Sequence, residues 1–179
     1  MAHMTEHATD ITTQAPTEGM PTRLETGQTA PDFTLPAVEP DGTESTVTLS
    51  NLAEKGHKVI LYFYPAAMTP GCTTEACDFR DNMACLGTLG YTVLGVSKDP
   101  IAKLRRFRER DHLSFPLLSD PDLIVHKRYA AYGEKKLYGK THVGVLRSTF
   151  AIAADGRIEL ARYNVRAKGH VESLLKRLG

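Results

Sequence analysis

The sequence lacks a long hydrophobic run and an excess of charge of either sign. Its longest apolar stretch, residues 59–68, is about half as long as a membrane-spanning helix and contains a proline. The 22 basic and 21 acidic residues leave a formal net charge of +1, which gives no overall attraction to nucleic acid or to acidic membranes. With 179 residues, 41% of them hydrophobic, the chain is expected to be a soluble globular protein that binds neither.

A secretory signal is also missing from the start of the chain. Residues 1–22 are rich in Thr, Glu, Ala and Pro, show no apolar periodicity, and begin with MAHM, which resembles a cloning scar. They have no basic start followed by an apolar core and a small-residue cleavage site. We therefore expect a disordered tail over residues 1–22, one folded domain over residues 23–179 and a cytoplasmic location, where cysteines are more often catalytic than structural.

From Leu24 onward, short β-like runs alternate with segments of helical periodicity. Residues 59–64 form a continuous β-branched and aromatic run, and residues 92–96 form a second, as expected for central strands covered on both faces. Further elements are hairpins around Pro40-Asp41-Gly42 and Asp155-Gly156, and helices after Asp99-Pro100 (with Asp99 as the cap), over residues 123–132 and over residues 171–178. This order predicts an α/β fold with a central mixed β-sheet flanked by helices on both faces.

All three cysteines, Cys72, Cys77 and Cys85, fall in one helix, predicted over residues 72–86 directly after the first central strand. Cys72 follows a Thr-Pro-Gly turn and shares an inward-facing helical spacing with later apolar residues, which places it at the N-terminal, core-facing end. The first N–H groups of a helix lack intrahelical partners and carry the positive end of the helix dipole, so they favour a thiolate. The pattern fits a nucleophilic cysteine, and equally a small buried residue that begins a helix.

Cys77 lies five residues after Cys72, which in an ideal helix means about 7.5 Å of rise, about 140° of rotation and Cα atoms roughly 9 Å apart. Because a disulfide normally requires Cα atoms within about 7 Å, these two cysteines can join only if the first helical turns unravel. Structural disulfides are rarely arranged in this way, so the spacing favours Cys77 as a resolving thiol. Cys85 lies about 20 Å from Cys72 along the same predicted helix and is interpreted as a packing residue.

Other patterns that could carry chemistry are weaker. The chain has no C-x-x-C pair, which disfavours a thioredoxin-type dithiol, and its cysteines and histidines do not have the spacing of zinc ligands. Gly139-Lys140-Thr141 lacks the first glycine of a phosphate-binding loop, since that position is Glu134. The basic run at residues 104–110 alternates with apolar positions on a predicted helix, so it is interpreted as a solvated helix face and not as a nucleic-acid patch.

Residues 65–72 carry the pattern P-x-x-x-T-x-x-C, which resembles the active-site signature of the peroxiredoxins. The longer string YFYPAAMTPGCTTEACDFRD at residues 62–81, with its second cysteine five positions after the first, is similar to the Q-type (bacterioferritin comigratory protein) subfamily. Further segments match in the same order: APDFTL at residues 30–35, FPLLSD at 115–120, YGK at 138–140 and RSTF at 147–150. The resemblance extends from Leu24 to the C-terminus.

The resemblance implies a thioredoxin-like fold and an atypical two-cysteine peroxidase that reduces hydrogen peroxide and organic hydroperoxides. By motif, Cys72 would be the peroxidatic cysteine, which becomes a sulfenic acid, and Cys77 would be the resolving cysteine, which joins it in an intramolecular disulfide. Pro65 would shield the thiolate, and Thr69 would hydrogen-bond the peroxide and the thiolate. Arg147 would complete the site with a permanent positive charge.

The resemblance also implies thioredoxin or a similar reductant, no metal, haem or flavin, and a monomer, with a dimer as the alternative. Glu75 lies in the matching segment, but acidic residues are common at helix starts, so no role is assigned to it. Cys85 is not part of the motif. A redox sensor or a chaperone-like binding protein would share the first chemical step, and sustained recycling by a reductase would distinguish the peroxidase from both.

Overall fold

The structure is a computed structural model that describes residues 22–179. The expected tail therefore falls outside the described residues, except for Thr22. A seven-stranded sheet with the strand order β2-β1-β5-β4-β3-β8-β9 forms the centre, and β6 and β7 form a separate two-stranded ribbon. In chain order the elements are β1 (Thr34–Val38), β2 (Glu44–Thr48), α1 (Leu49–Glu54), β3 (Lys58–Phe63), α2 (Pro70–Asp81), α3 (Met83–Thr88), β4 (Tyr91–Ser97), α4 (Ile101–Asp111), β5 (Leu117–Ser119), α5 (Ile124–Arg128), β6 (Tyr132–Leu137), β7 (Lys140–Val145), β8 (Ser148–Ile152), β9 (Ile158–Arg162) and α6 (His170–Leu178).

The centre of the sheet is the apolar strand β3, which is buried after its first residue. It pairs in parallel with β4 and antiparallel with β8, so the sheet is mixed. Tyr62 belongs to a core cluster with Phe79 of α2 and Leu174 of α6. Its neighbour Phe63 points to the opposite face, because side chains alternate along a strand, and belongs to a second cluster with Leu49 of α1. The predicted α/β fold with helices on both faces is confirmed.

Both predicted hairpins are present. β1 pairs antiparallel with β2, and β8 pairs antiparallel with β9. Their connections contain Gly42 and Gly156 at φ values of 89° and 84°, a left-handed conformation that glycine adopts without strain. The final amphipathic helix is α6, in which Val171 and Leu174 are buried. Over residues 22–179, no helix is long and apolar enough to cross a membrane.

Two of the predicted helices end earlier than expected. The helix predicted over residues 72–86 is divided into α2 and α3 at Asn82, whose side-chain Nδ2 donates to the Asp78 carbonyl at 2.7 Å and so takes the acceptor of a regular helical bond. The helix predicted over residues 123–132 is only α5, because Ala130 turns the chain with a φ of 56°. The β6–β7 ribbon that follows has no counterpart among the sequence predictions.

Candidate active site

The loop that leaves the buried strand β3 leads into α2 and places Cys72 in the first turn of that helix. Thr69 is the N-cap and Pro70 is the first helical residue, where a missing N–H leaves no intrahelical bond unmade. The first intrahelical bond runs from the Thr73 N–H to the Thr69 carbonyl at 2.8 Å, so the Cys72 N–H lies at the open, positive end of the helix. The Cys72 side chain is only 2% exposed and belongs to the core cluster, as its spacing predicts.

Arg147 reaches Cys72 although 75 positions separate the two residues. It lies in the short connection between β7 and β8, and β8 pairs with β3 so that Ser148 is opposite Phe63. This register brings Arg147 beside the loop that leaves β3. Its Nη2 donates to Cys72 Sγ at 3.4 Å. The guanidinium packs against Gly71, where an added Cβ would lie 3.4 Å from Nη2, an ordinary van der Waals contact.

Glu75 is a site residue to which the sequence assigned no role. It is fully buried one turn after Cys72, and its Oε1 accepts from Arg147 Nη1 at 2.7 Å. The second oxygen, Oε2, has no hydrogen-bond partner among the described residues. The sequence held one signal for this role. Glu75 lies beside the inward face of the predicted helix, and a carboxylate that is buried there requires a partner.

The charges of Glu75 and Arg147 depend on each other. Burial raises the pKa of Glu75 to about 7, while the charge of Arg147 and its hydrogen bond act in the opposite direction. Burial alone would lower the pKa of Arg147, but the charges of Glu75 and Cys72 outweigh burial and raise it. Glu75 therefore holds one arm of the guanidinium and leaves the other arm directed at the sulfur.

Thr69 and Pro65 lie in the loop before the helix, but no hydrogen bond joins Thr69 to Cys72. The exposed Thr69 side chain donates from Oγ1 to the Ala66 carbonyl at 2.7 Å. Because this bond uses the hydroxyl proton, the oxygen presents its lone pairs as acceptors. Pro65 is partly buried in the same loop.

Asp99 holds this loop in place. Its Oδ2 accepts from the Ala67 N–H at 2.7 Å and from Ser97 Oγ at 2.8 Å, and Lys103 Nζ lies 3.0 Å from Oδ1. The N-cap of α4 is instead Pro100, and no side chain caps that helix. The prediction that Asp99 caps α4 is therefore wrong, because its carboxylate is used by the loop that precedes α2.

The other two cysteines differ in their surroundings. Cys77 is partly buried in the middle of α2, and burial raises its pKa while the charge of Arg80 opposes the shift. Cys85 is exposed on α3, so both its placement on the helix of Cys72 and its interpretation as a packing residue are wrong. All three cysteines are free thiols in this structure.

The site combines one sulfur, one fixed cation and the positive end of a helix in a largely buried position. Such an arrangement stabilises negative charge on the sulfur and on an atom that leaves it. From the sequence, Cys72 and Arg147 were predicted to share a site only because of the family motif. The structure adds Glu75 to that site. Across residues 22–179, no group of three or more His, Cys, Asp or Glu residues is placed to hold a metal ion.

Comparison with known proteins identifies the family of this chain. Residues 26–161 match the AhpC/TSA family. The chain is 52% identical over 157 residues to a Mycobacterium tuberculosis protein that is named as a peroxiredoxin, a match that covers 88% of this chain and 96% of the relative. It is 44% identical over 152 residues to peroxiredoxin Bcp of Escherichia coli, with coverage of 85% and 94%. The chain belongs to the AhpC/TSA family, as a peroxiredoxin of the Bcp/PrxQ group.

Solved peroxiredoxin structures share this fold. PrxQ of Xylella fastidiosa, a cysteine-to-serine mutant, has a TM-score of 0.76 at 33% identity over 88% of this chain and 96% of that chain. The bacterioferritin comigratory protein of Xanthomonas campestris has a TM-score of 0.70 at 35% identity over 80% of this chain and 89% of that chain. The thioredoxin-like fold and the Q-type resemblance are confirmed, and the roles of individual site residues stay predictions.

Proposed function

We propose that this peroxiredoxin is a thiol-dependent peroxidase that reduces hydrogen peroxide and organic hydroperoxides at Cys72. The observation that carries the proposal is the Arg147 guanidinium, whose Nη2 lies 3.4 Å from Cys72 Sγ at the positive end of α2. The substrate class has support from the Xanthomonas campestris relative, which is described as having alkyl peroxide reduction activity.

In the first step, the Cys72 thiolate attacks one peroxide oxygen in line with the O–O bond. The S–O bond forms as the O–O bond breaks, so Cys–S⁻ and ROOH give Cys–SOH and RO⁻. The leaving oxygen then takes a proton to become an alcohol, or water when the substrate is hydrogen peroxide. Because negative charge moves from the sulfur to the leaving oxygen, fixed donors beside this path stabilise the transition state more than the ground state.

Four residues assist this step. Arg147 supplies a charge that does not depend on pH, and Glu75 holds Nη1 so that Nη2 is directed at the sulfur. Thr69 has committed its hydroxyl proton to Ala66, so its oxygen accepts a hydrogen bond from the peroxide O–H and orients the substrate. Pro65 shields the thiolate from solvent.

In the second step, Cys77 attacks the Cys72 sulfenic sulfur. The S–S bond forms, the S–O bond breaks, and the hydroxyl leaves as water with the proton of the Cys77 thiol. The first turns of α2 unravel for this step, because five residues of intact helix hold the Cα atoms roughly 9 Å apart. Burial raises the pKa of Cys77 in the folded helix, so unravelling also favours the attacking thiolate.

A dithiol reductant of the thioredoxin type closes the cycle. One of its thiolates attacks the Cys72–Cys77 disulfide, its second thiol resolves the mixed disulfide, and two electrons and two protons return to the enzyme. We place the reaction in the cytoplasm, where such dithiols keep cysteines reduced, and assign it to a monomer folded over residues 23–179.

Peroxide consumption by two cysteine variants tests this function. Cys72→Ser is expected to abolish turnover, because no nucleophile remains at the helix start. Cys77→Ser is expected to consume about one equivalent of peroxide and then stop, even with thioredoxin present, because the sulfenic acid is not resolved. Turnover by Cys72→Ser would remove Cys72 from the mechanism, and sustained turnover by Cys77→Ser would transfer resolution to Cys85 or to an external thiol.

A further inference from the structure

The outer side of α2 is joined to the end of α4 by two arginine side chains. This matters because α2 carries both Cys72 and Cys77, and the inference below rests on the proposed disulfide between them. Any bond from a neighbouring element to the segment between the two cysteines has to break before that disulfide forms. The described residues contain two such side-chain bonds: the buried bond from Arg147 to Glu75 on the inner side of α2 and, on its outer side, the bond from Arg110 to Thr73.

Arg110 is held in position for this bond. Its Nη2 donates to Thr73 Oγ1 at 2.8 Å, and its Nε donates to Asp111 Oδ2 at 2.9 Å. The guanidinium carbon lies 6.0 Å from the ring centroid of Phe107, which is fully buried in the core. The α4 scaffold therefore directs this half-exposed guanidinium to the first turn of α2, next to Cys72.

Arg80 makes the second connection, on the other side of Cys77. Its Nη1 donates to the Asp111 carbonyl at 2.5 Å. Asp111 is the last residue of α4, so this carbonyl belongs to the helix end that has no intrahelical donor and that favours a cation. Arg80 thus fixes the part of α2 that follows Cys77, while Arg110 fixes the part that must move.

We propose that Arg110 is a positioning residue that helps to keep the first turn of α2 folded through its bond to Thr73 and so slows disulfide formation. The basic run on α4, interpreted from the sequence as a solvated face, contains this contact. The bond ties the first turn of α2 to α4, while Arg147 and the helix start hold Cys72 itself for the attack on peroxide. It then has to break so that Cys72 approaches Cys77, while Arg80 holds the far end of α2 in place.

The rate of this opening determines the fate of the sulfenic acid. With Cys77, Cys72–SOH forms the disulfide and releases water. With a second peroxide molecule it is oxidised instead, and Cys–SOH and ROOH give the sulfinic acid Cys–SO₂H and ROH, which ordinary thiols do not restore. Faster opening favours the disulfide, so loss of the Arg110–Thr73 bond should protect the enzyme from over-oxidation.

The test measures the two chemical steps separately by quenched-flow alkylation and intact mass. In Arg110→Ala and in Thr73→Val, which keeps the side-chain volume, disulfide formation is expected to be about two- to fivefold faster, as suits the small contribution of an exposed bond. The first step is expected to keep its wild-type rate. The sulfinic fraction at high peroxide is expected to fall by a similar factor, and Arg110→Lys is expected to recover part of the wild-type behaviour.

Two controls separate this effect from general loosening of the surface. Arg106→Ala removes an exposed arginine of the same helix that makes no hydrogen bond or ion pair within the described residues, and it is expected to match the wild type in both steps. The double variant Arg110→Ala/Thr73→Val is expected to equal either single variant, since all three lack the same bond.

Wild-type rates of disulfide formation in both single variants would overturn the role of Arg110, and so would an equal acceleration by Arg106→Ala. Because Thr73→Val is conservative, a folding defect in Arg110→Ala alone does not remove the test. If the wild type itself formed no Cys72–Cys77 disulfide, the proposed function would fail in the same experiment, a result distinct from an unchanged rate of a disulfide that does form.

Discussion

The two cysteines of α2 lie in regions of opposite character. Cys72 is 2% exposed and faces a buried ion pair, in which Glu75 is fully enclosed and Arg147 is 14% exposed. Cys77 is only partly buried, and the charged groups around it include Arg80 and Asp81, whose side chains are 31% and 61% exposed. One helix can therefore hold a rigid charge arrangement on its inner side and remain easy to open on its outer side, because exposed polar bonds contribute little to stability.

Loss of Arg147 should damage the rigid region most. Arg147→Ala is expected to slow the formation of the Cys72 sulfenic acid by about 100- to 1000-fold, the usual effect of removing one fixed donor to a developing negative charge. Arg147→Lys is expected to recover only part of the rate, because a single ammonium does not contact Glu75 and Cys72 with the geometry of the guanidinium. Alkylation after rapid mixing with peroxide gives the rate. Wild-type reactivity in the alanine variant would show that the charge beside the sulfur is not used.

Glu75→Gln should have a smaller effect that depends on pH. Since the pKa of Glu75 is raised to about 7, the wild-type side chain is largely protonated below that pH and resembles glutamine. Above it, the charged carboxylate orients Arg147, and the variant is expected to be about tenfold slower, as suits the loss of one charged hydrogen bond. The ratio of the two rates, measured from pH 5.5 to 8.5, checks this. A ratio that did not change with pH would contradict a role for the carboxylate charge.

The same substitution should change the pH dependence of stability. The pKa of Glu75 is raised in the folded state, so the protonated form stabilises the fold and that contribution is lost as the pH rises from about 4.5 through about 7. His170 acts in the opposite direction, since burial lowers its pKa to about 4. The difference between wild type and Glu75→Gln isolates Glu75, and urea unfolding is expected to show the variant gaining stability relative to wild type between pH 5 and pH 8.

Cys85→Ser should have the smallest effect. Cys85 is exposed on α3, beyond the break at Asn82, and has no part in the proposed cycle. Turnover with thioredoxin is expected to equal that of the wild type within error. A loss of turnover would mean that Cys85 resolves the sulfenic acid. The peroxidatic and resolving cysteines would then lie on two different helices, α2 and α3, and not on two sides of α2.

The predictable parts of the fold have local causes. The continuous apolar run predicted β3, and the turn residues at Gly42 and Gly156 predicted the hairpins. The errors arise where the spacing of apolar residues gives no signal. A side-chain amide competes with the backbone at Asn82, and an alanine takes the left-handed conformation at Ala130.

The site divides in the same way. The helix start at Cys72 was predictable from spacing, whereas Arg147 came only from the family motif, because its approach depends on the register of β3 with β8. Glu75 was missed because its burial depends on that same distant arginine. Asp99 was assigned to capping, because the sequence does not distinguish a cap from an anchor of another loop. The roles of all five predicted site residues, Pro65, Thr69, Cys72, Cys77 and Arg147, stay predictions.

The most direct test of the contrast within α2 is the mass of the protein after thiol alkylation, with and without one equivalent of hydrogen peroxide. Rigid positioning of Cys72 together with opening around Cys77 predicts the loss of two alkylatable thiols, mapped to Cys72 and Cys77, with Cys85 still alkylated. Retention of all three thiols would contradict the peroxidase, and loss of Cys72 alone, as a stable sulfenic acid, would contradict opening of α2.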